Sequence, residues 1–88
     1  MKVIVVVPTY NEVANLSTLA QHLFDLRIAA LELLVVDDNS PDGTAAAAEA
    51  LGMRYPGRIH VLRRPRKEGL GPAYVAGFRE ALRLQADV

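Results

Sequence analysis

The chain has 88 residues, of which 51% are hydrophobic and 23% are charged, and its basic and acidic side chains cancel to a net charge of zero. This composition is typical of one small globular domain, and it excludes a disordered segment and a nucleic-acid binder that depends on overall charge. The absence of cysteine excludes disulfides and thiolate metal sites, and no apolar run approaches the roughly 18 residues of a membrane span.

The first predicted element is a strand, because Val3 to Val7 form a continuous β-branched run. Such a run is typical of a strand that is buried on both faces of a parallel sheet. It is too short for the apolar part of a signal peptide, and it ends at Pro8 without a small-residue cleavage site. After a polar turn, leucines at positions 16, 19, 23 and 26 predict a helix that begins at about residue 12 or 15 and ends near 29.

A second strand is predicted at 32–36, where an apolar run ends abruptly at a pair of aspartates. Residues 40–42 carry the signals of a helix start. Ser40 can cap, Pro41 suits the first helical position, and the charge of Asp42 favours the positive end of a helix dipole. We therefore expect a second helix from this point to about Leu51.

The last predicted elements are a strand at 58–62, a basic loop, and a helix that opens at Pro72. We expect the inner face of this helix to carry Tyr74 or Val75, Phe78, Ala81 or Leu82, and Leu84 or Gln85. A fourth strand is expected to begin within 86–88. The alternation β-α-β-α-β-α predicts an α/β fold with a Rossmann-like parallel sheet and right-handed crossovers. Because three strands leave an open sheet edge, we expect a fragment of a larger protein, or an oligomer formed through that edge.

Unusual residues follow each strand at the predicted carboxyl edge, where open α/β sheets bind ligands. Acidic side chains suit ribose hydroxyls and the N–H edge of a base, whereas basic side chains suit a diphosphate. Each feature also has a plainer interpretation. Asp37 and Asp38 could be a polar strand end, Asp42 and Glu12 could be helix-start acids, and Tyr10 could simply pack. The basic cluster at 63–67 could be a solvated loop, and both histidines are expected to be structural.

The order of three motifs resembles the family 2 glycosyltransferases with the GT-A fold. The motifs are Val-Val-Val-Pro-Thr-Tyr-Asn-Glu at 5–12, Val-Val-Asp-Asp-Asn-Ser-Pro-Asp-Gly-Thr at 35–44, and Arg-Lys-Glu-Gly-Leu-Gly-Pro-Ala-Tyr at 66–74. The second and third resemble the polyprenyl- (dolichyl-) phosphate mannosyltransferase branch in particular. The resemblance implies that residues 1–88 are part of a nucleotide-sugar-binding domain, the N-terminal half of a GT-A fold.

The resemblance also implies roles for individual positions. Pro8, Tyr10 and Glu12 would flank the nucleobase and ribose, and Asp37, with Asp38 beside it, would read the base or ribose. Asp42 and Lys67 would line the nucleotide and phosphate side. The turn that brings the third helix to the nucleotide would consist of Gly69, Leu70 and Gly71. No catalytic residue is assigned in this chain.

The donor implied by the resemblance is GDP-mannose, and the acceptor is a polyprenyl phosphate. The reaction would use Mg²⁺ or Mn²⁺, in the cytoplasm or at the cytosolic face of a membrane, with membrane contact made by downstream parts. The family's Asp-x-Asp metal motif would follow the fourth strand, past Val88, and Asp87 does not take its place. We therefore expect the chain to be inactive alone. A family 2 transferase that uses UDP-glucose or UDP-N-acetylglucosamine, and a non-catalytic nucleotide-binding module, are the alternatives.

Overall fold

The computed structural model describes residues 2–84, in which parallel strands alternate with helices as the sequence predicts. In chain order the elements are β1 (Val3–Thr9), α1 (Val13–Asp25), β2 (Leu31–Asp37), α2 (Thr44–Leu51), β3 (Ile59–Arg63) and α3 (Leu70–Arg83). The strand order is β1-β2-β3, and both pairings are parallel. The α/β, Rossmann-like fold class is therefore confirmed. The predicted fourth strand and Asp87 lie outside the described residues.

The register aligns the carboxyl ends of the strands at one edge of the sheet. Thr9 at the end of β1 pairs with Asp37, and Asp37 pairs with Arg63 at the end of β3. The loops that leave the three strands therefore begin side by side, which is the arrangement that forms a ligand cleft in open α/β sheets.

The core occupies both faces of the central strand β2. Leu33 and Val35 pack with α1 and α2 on one face, whereas Leu34 and Val36 pack with α3 on the other, and all four side chains are buried. The strand buried on both faces is thus β2 rather than β1. The residues of β1 are mostly half-buried, because within residues 2–84 this strand pairs with β2 alone.

The predicted inner face of α3 is wrong for its larger residues in the first part of the helix. The buried residues of this helix are Ala73, Gly77 and Ala81, whereas the larger side chains predicted there are exposed: Tyr74, Val75, Phe78 and Leu82. The helix lies so close to the sheet that a Cβ at Gly77 would stand 2.4 Å from Val6 Cγ1 and 2.9 Å from Val36 Cγ2. Only small side chains fit between backbones at this separation. Of the predicted positions, Ala81 is buried and Leu84 packs against the same cluster.

The predicted start of α2 is also wrong. The helix begins at Thr44, after Gly43 at the N-cap in the left-handed region with φ 82°. Ser40 does not cap this helix. Its hydroxyl donates to Asp37 Oδ1 at 2.6 Å and accepts a hydrogen bond from the Asn11 N–H at 2.9 Å. Helix α1 ends at Asp25 rather than near residue 29, since Arg27 and Ala30 both adopt positive φ.

Candidate functional site

A cavity of about 250 Å³ opens at the carboxyl edge of the sheet. All three strand-end loops contribute to it, and its lining residues are Pro8, Thr9, Tyr10, Glu12, Asp38, Lys67, Gly69, Leu70 and Ala73. Most of the residues singled out by the sequence motifs are therefore brought together, although their motifs are far apart along the chain. The volume lies just below the roughly 300 Å³ at which small-molecule sites begin, so it suits part of a nucleotide sugar rather than all of it.

Asp38 is one of two acidic residues that line the cavity, the other being Glu12. Its backbone N–H donates to the Thr9 carbonyl at 3.3 Å, which ties the loop after β2 to the end of β1. Its carboxylate is nearly buried and accepts from Arg64 Nη1 at 3.3 Å. An ionised carboxylate only accepts hydrogen bonds, so Asp38 is suited to the N–H or O–H donors of a nucleoside.

The aromatic and basic sides of the cavity meet at Tyr10 and Lys67. The Lys67 ammonium lies 4.6 Å from the centroid of the Tyr10 ring, within the range of a cation–π contact. Both side chains are exposed, so neither is committed to the core. The pair places a flat ring, on which a base could stack, directly beside an exposed positive charge that suits a phosphate.

The N-terminal end of α3 forms the remaining wall. Gly69 is its N-cap with φ 99°, a conformation that favours glycine, and the side chains of the described residues do not cap this helix end. The N–H groups of a first helical turn carry partial positive charge, and they attract anions. Lys67 and this helix end therefore give one side of the cavity a positive potential.

Asp37 lies beneath the cavity and not in its lining. Its side chain is buried, and it accepts hydrogen bonds from the Thr9 hydroxyl at 2.9 Å and from the Ser40 hydroxyl and N–H. These three donors saturate much of the capacity of the carboxylate, which therefore holds the loops after β1 and β2 in place. A direct contact with a nucleoside remains a prediction from the resemblance.

Asp42 and Gly71 also lie outside the lining. Asp42 accepts from the N–H groups of Val13 at 3.2 Å and Thr44 at 3.0 Å, so one carboxylate serves the first residues of both α1 and α2. Hydrogen bonds, first of all from the Thr44 hydroxyl, lower the pKa of this exposed carboxyl from its usual 3.8. Gly71 lies in the first turn of α3, where an added Cβ would meet no atom within 4 Å.

Thr9 and Ala73 line the cavity but were not among the predicted site residues. The hydroxyl of Thr9 contacts Asp37. The sequence signal for Thr9 is its position in the first motif, between the predicted residues Pro8 and Tyr10. Ala73 lies four residues after Gly69, which puts both on one face of a helix. Arg64 donates a hydrogen bond to Asp38. The sequence shows Arg64 only as one member of the basic cluster at 63–67 and does not single it out.

The described residues do not offer a complete metal site. Within residues 2–84, His, Asp and Glu side chains do not gather in a group of three or more that could hold a metal ion. The acidic pair is also engaged otherwise, since Asp37 faces hydroxyls and an N–H group while Asp38 faces a guanidinium. These residues alone therefore do not fit the divalent cation that the resemblance implies. In the same part of the chain, none of the helices is long and apolar enough to cross a membrane.

Comparison with known proteins gives a family match over almost the whole chain. The sequence profile of Glycosyl transferase family 2 matches residues 4–83. This range runs from β1 to the end of α3 and so includes every residue that lines the cavity.

Similar sequences share one kind of name. The chain is 45% identical over 93% of its length to a polyprenol monophosphomannose synthase of Mycolicibacterium smegmatis, and 44% identical over its full length to an undecaprenyl-phosphate mannosyltransferase of Micrococcus luteus. It is 44% identical over 92% of its length to a dolichol-phosphate mannosyltransferase of Pyrococcus furiosus. The matched regions are 31%, 35% and 23% of those proteins, so the chain spans about a third of their length or less.

A solved structure supports the same fold. A mannosyltransferase from Pyrobaculum calidifontis, in complex with GDP-Man and Mn²⁺, matches the chain with a TM-score of 0.81 and 29% sequence identity. The match covers 91% of this chain and 24% of that protein. The arrangement of strands and helices is therefore the one found in part of that larger mannosyltransferase.

Proposed function

The chain belongs to glycosyl transferase family 2, and from this membership we propose that it forms the nucleotide-binding part of a mannosyltransferase. The donor is GDP-mannose, and the acceptor is a polyprenyl phosphate. The named relatives support this choice. Two are named as mannosyltransferases of undecaprenyl phosphate and of dolichol phosphate, the third is named a polyprenol monophosphomannose synthase, and the structural neighbour holds GDP-Man.

The observation that carries the proposal is the composition of the cavity. A carboxylate (Asp38), an exposed ring (Tyr10), an ammonium (Lys67) and a helix N-terminus (Gly69) line one space of about 250 Å³. These four groups are complementary to a nucleoside diphosphate, because they provide an acceptor for N–H or O–H groups, a stacking surface, a cation, and backbone N–H donors. Asp37 and Asp42 support this space by fixing the loops around it, and Glu12, Pro8 and Leu70 complete its walls.

The chemical step belongs to regions that the relatives have and this chain does not span. A divalent cation, as in the Mn²⁺ complex of the structural neighbour, would offset the charge of the leaving diphosphate. Because the acceptor is a lipid phosphate, we place the reaction at the cytosolic face of a membrane. The contact with the membrane is peripheral, and it is made by those further regions.

The edge of β1 gives a route to association. Within residues 2–84 this strand pairs only with β2, so the N–H and C=O groups on its other side face outward. We propose that another strand, from a second copy or from further regions of the protein, pairs along this edge. Sedimentation velocity over a range of concentrations tests the self-association, and a concentration-independent monomer would contradict it.

The choice of base tests the donor. In isothermal titration calorimetry the chain should bind GDP more tightly than UDP, with about tenfold discrimination if two or more hydrogen bonds to the base differ. Tight binding of UDP with no response to GDP would instead favour a UDP-glucose or UDP-N-acetylglucosamine transferase. Failure of both nucleotides to bind would refute the proposal.

A further inference from the structure

Arg64 is distinguished from its basic neighbours by its burial. The Arg64 side chain is 11% exposed, whereas those of Arg63 and Arg66 are 58% and 79% exposed. Arg63 pairs with Glu49 on α2, away from the cavity, and Lys67 lies over Tyr10. A guanidinium keeps its charge when it is buried. Burial of this charge is costly in free energy unless an acidic group pairs with it.

The backbone fixes Arg64 beside the end of β2. Its N–H donates to the Asp37 carbonyl at 2.7 Å, which continues the pairing of β2 and β3 one residue beyond the strand. The chain therefore delivers this side chain next to Asp38, and the position does not depend on a mobile loop.

The guanidinium contacts acidic groups on two different loops. Nη1 lies 3.3 Å from Asp38 Oδ1, and Nη2 lies 3.7 Å from Glu68 Oε1. Asp38 follows β2, whereas Glu68 stands between Lys67 and Gly69 on the loop before α3. One side chain thus joins the acidic wall of the cavity to the segment that carries its basic wall. Arg64 itself does not line the cavity.

The contact with Asp38 constrains how that carboxylate meets a ligand. Among residues 2–84, the hydrogen bond to the carboxylate comes from Arg64 and goes to Oδ1, which leaves Oδ2 for a donor in the cavity. A carboxylate with one oxygen held in this way has fewer accessible orientations, so less ordering is needed when the ligand arrives. Pre-organisation of this kind lowers the entropic cost of binding.

We infer that Arg64 is a positioning residue for nucleotide binding, which orients Asp38 toward the nucleoside and holds the Lys67–Gly69 segment against it. This inference rests on the proposed function, because it assumes that the cavity holds a nucleotide. Recognition of the nucleoside by the acidic wall then depends on two residues, Arg64 and Asp38, rather than on the aspartate alone.

A double-mutant cycle with GDP as the probe tests the inference. The wild-type chain and the variants Arg64→Gln, Asp38→Asn and Arg64→Gln/Asp38→Asn are titrated with GDP by calorimetry. Arg64→Gln should weaken binding about tenfold, and it should add little to the loss already caused by Asp38→Asn, because coupled residues are non-additive. Arg63→Gln is the matched control, since it removes an adjacent guanidinium that contacts α2, and it should change affinity less than about twofold.

The outcomes separate the two proposals. If the wild-type chain binds GDP and Arg64→Gln binds equally well, or if the losses at positions 64 and 38 multiply, the positioning role is refuted while the proposed function stands. If the wild-type chain binds no nucleotide, both are refuted. Amide NMR spectra establish that each variant is folded. Should Arg64→Gln not fold, Arg64→Lys replaces it in the cycle, and because an ammonium keeps the charge but not the two-armed contact, the expected loss is about threefold.

Discussion

Lys67 shows how a single residue can be prepared for a ligand. Its contact with the Tyr10 ring is exposed, and cation–π contacts of this kind contribute only about 0.5–1 kcal/mol. A diphosphate at the same place offers a full charge interaction, so the ammonium can exchange one partner for the other at small cost. The ring would then be free to stack against a base.

Charge reversal at Lys67 should therefore separate diphosphate binding from nucleoside binding. We expect Lys67→Glu to weaken GDP binding by about tenfold or more, since an attraction worth about 1–4 kcal/mol at contact distance becomes a repulsion. Guanosine should bind almost unchanged. Arg66→Glu is the control, because Arg66 is 79% exposed, contacts Glu68 and does not line the cavity. Equal losses for GDP and guanosine would contradict the role of Lys67.

Asp42 illustrates a residue whose motif suggests a ligand and whose contacts suggest a helix cap. Its carboxylate accepts from the hydroxyl and N–H of Thr44 and from the N–H of Val13. Hydrogen bonds to the charged form stabilise it, so the pKa of Asp42 in the folded chain lies below the usual 3.8.

This lowered pKa gives a stability that depends on pH. The unfolded chain binds the proton more readily, so the contribution is complete well above pH 3.8 and is lost as pH falls through the lower pKa of the folded state. Asp42→Asn should therefore show a weaker decline of its urea midpoint between pH 5 and the acid limit (about pH 2) than the wild type shows. Equal slopes for the wild type and Asp42→Asn would contradict the capping role.

At the scale of the elements, the close packing of α3 on the sheet determines where the site lies. Gly77 allows the helix to approach Val6 and Val36 directly, and this approach brings the N-terminal end of α3 to the carboxyl ends of the strands. Lys67 and Gly69 therefore line the same cavity as Asp38 and Tyr10.

Gly77→Ala should destabilise the chain although alanine is the better helix former. The added Cβ would overlap Val6 Cγ1 and Val36 Cγ2, and overpacking of this kind costs about 1–3 kcal/mol. Gly71→Ala is the matched control, since it lies in the same helix and its Cβ would meet open space. Thermal unfolding should give a Tm several degrees lower for Gly77→Ala and unchanged or slightly higher for Gly71→Ala. A Tm for Gly77→Ala at or above that of Gly71→Ala would contradict the close contact.

The elements themselves could be predicted because each strand has an apolar run, α1 has leucines at helical spacing, and the second and third helices follow the start signals at 40–42 and Pro72. The errors arose where tertiary contacts outcompete a local signal. Ser40 has the sequence context of a helix cap, but Asp37 and Asn11 engage its hydroxyl, and the helix begins later at Thr44. On α3 the largest apolar residues suggested the buried face, whereas the distance between helix and sheet admits only Ala73, Gly77 and Ala81.

The site could be predicted in part for a different reason. Residues after parallel strands converge whatever the details of packing, so Pro8, Asp38 and Lys67 could be placed together from the motifs. The different roles of Asp37, which holds the loops, and Asp38, which lines the cavity, could not be predicted in this way. Which of Asp37 and Asp38 faces the cavity depends on the neighbours Ser40 and Arg64, whose side-chain directions the sequence does not give.

At the scale of the whole molecule, the cavity lies at the carboxyl ends of the strands, and large apolar side chains are exposed on other surfaces of the chain. Tyr74 and Phe78 stack on the outer side of α3 with ring centroids 5.8 Å apart, and β1 pairs on one side only within residues 2–84. The matched relatives are about three times as long or longer. Nucleotide binding at the cavity is therefore the property of the proposed transferase that can be tested on this chain.

Amide chemical-shift mapping with GDP is the most direct test that the cavity at the carboxyl edge is the nucleotide site. In two-dimensional ¹H–¹⁵N spectra recorded during a titration, the largest shifts should fall on the three strand-end segments around Tyr10, Asp38 and Gly69. Amides at the opposite end of the sheet, near Glu32 and His60, should stay in place. Shifts confined to that opposite end, or a spectrum unchanged at millimolar GDP (about −4 kcal/mol of binding free energy), would contradict the account.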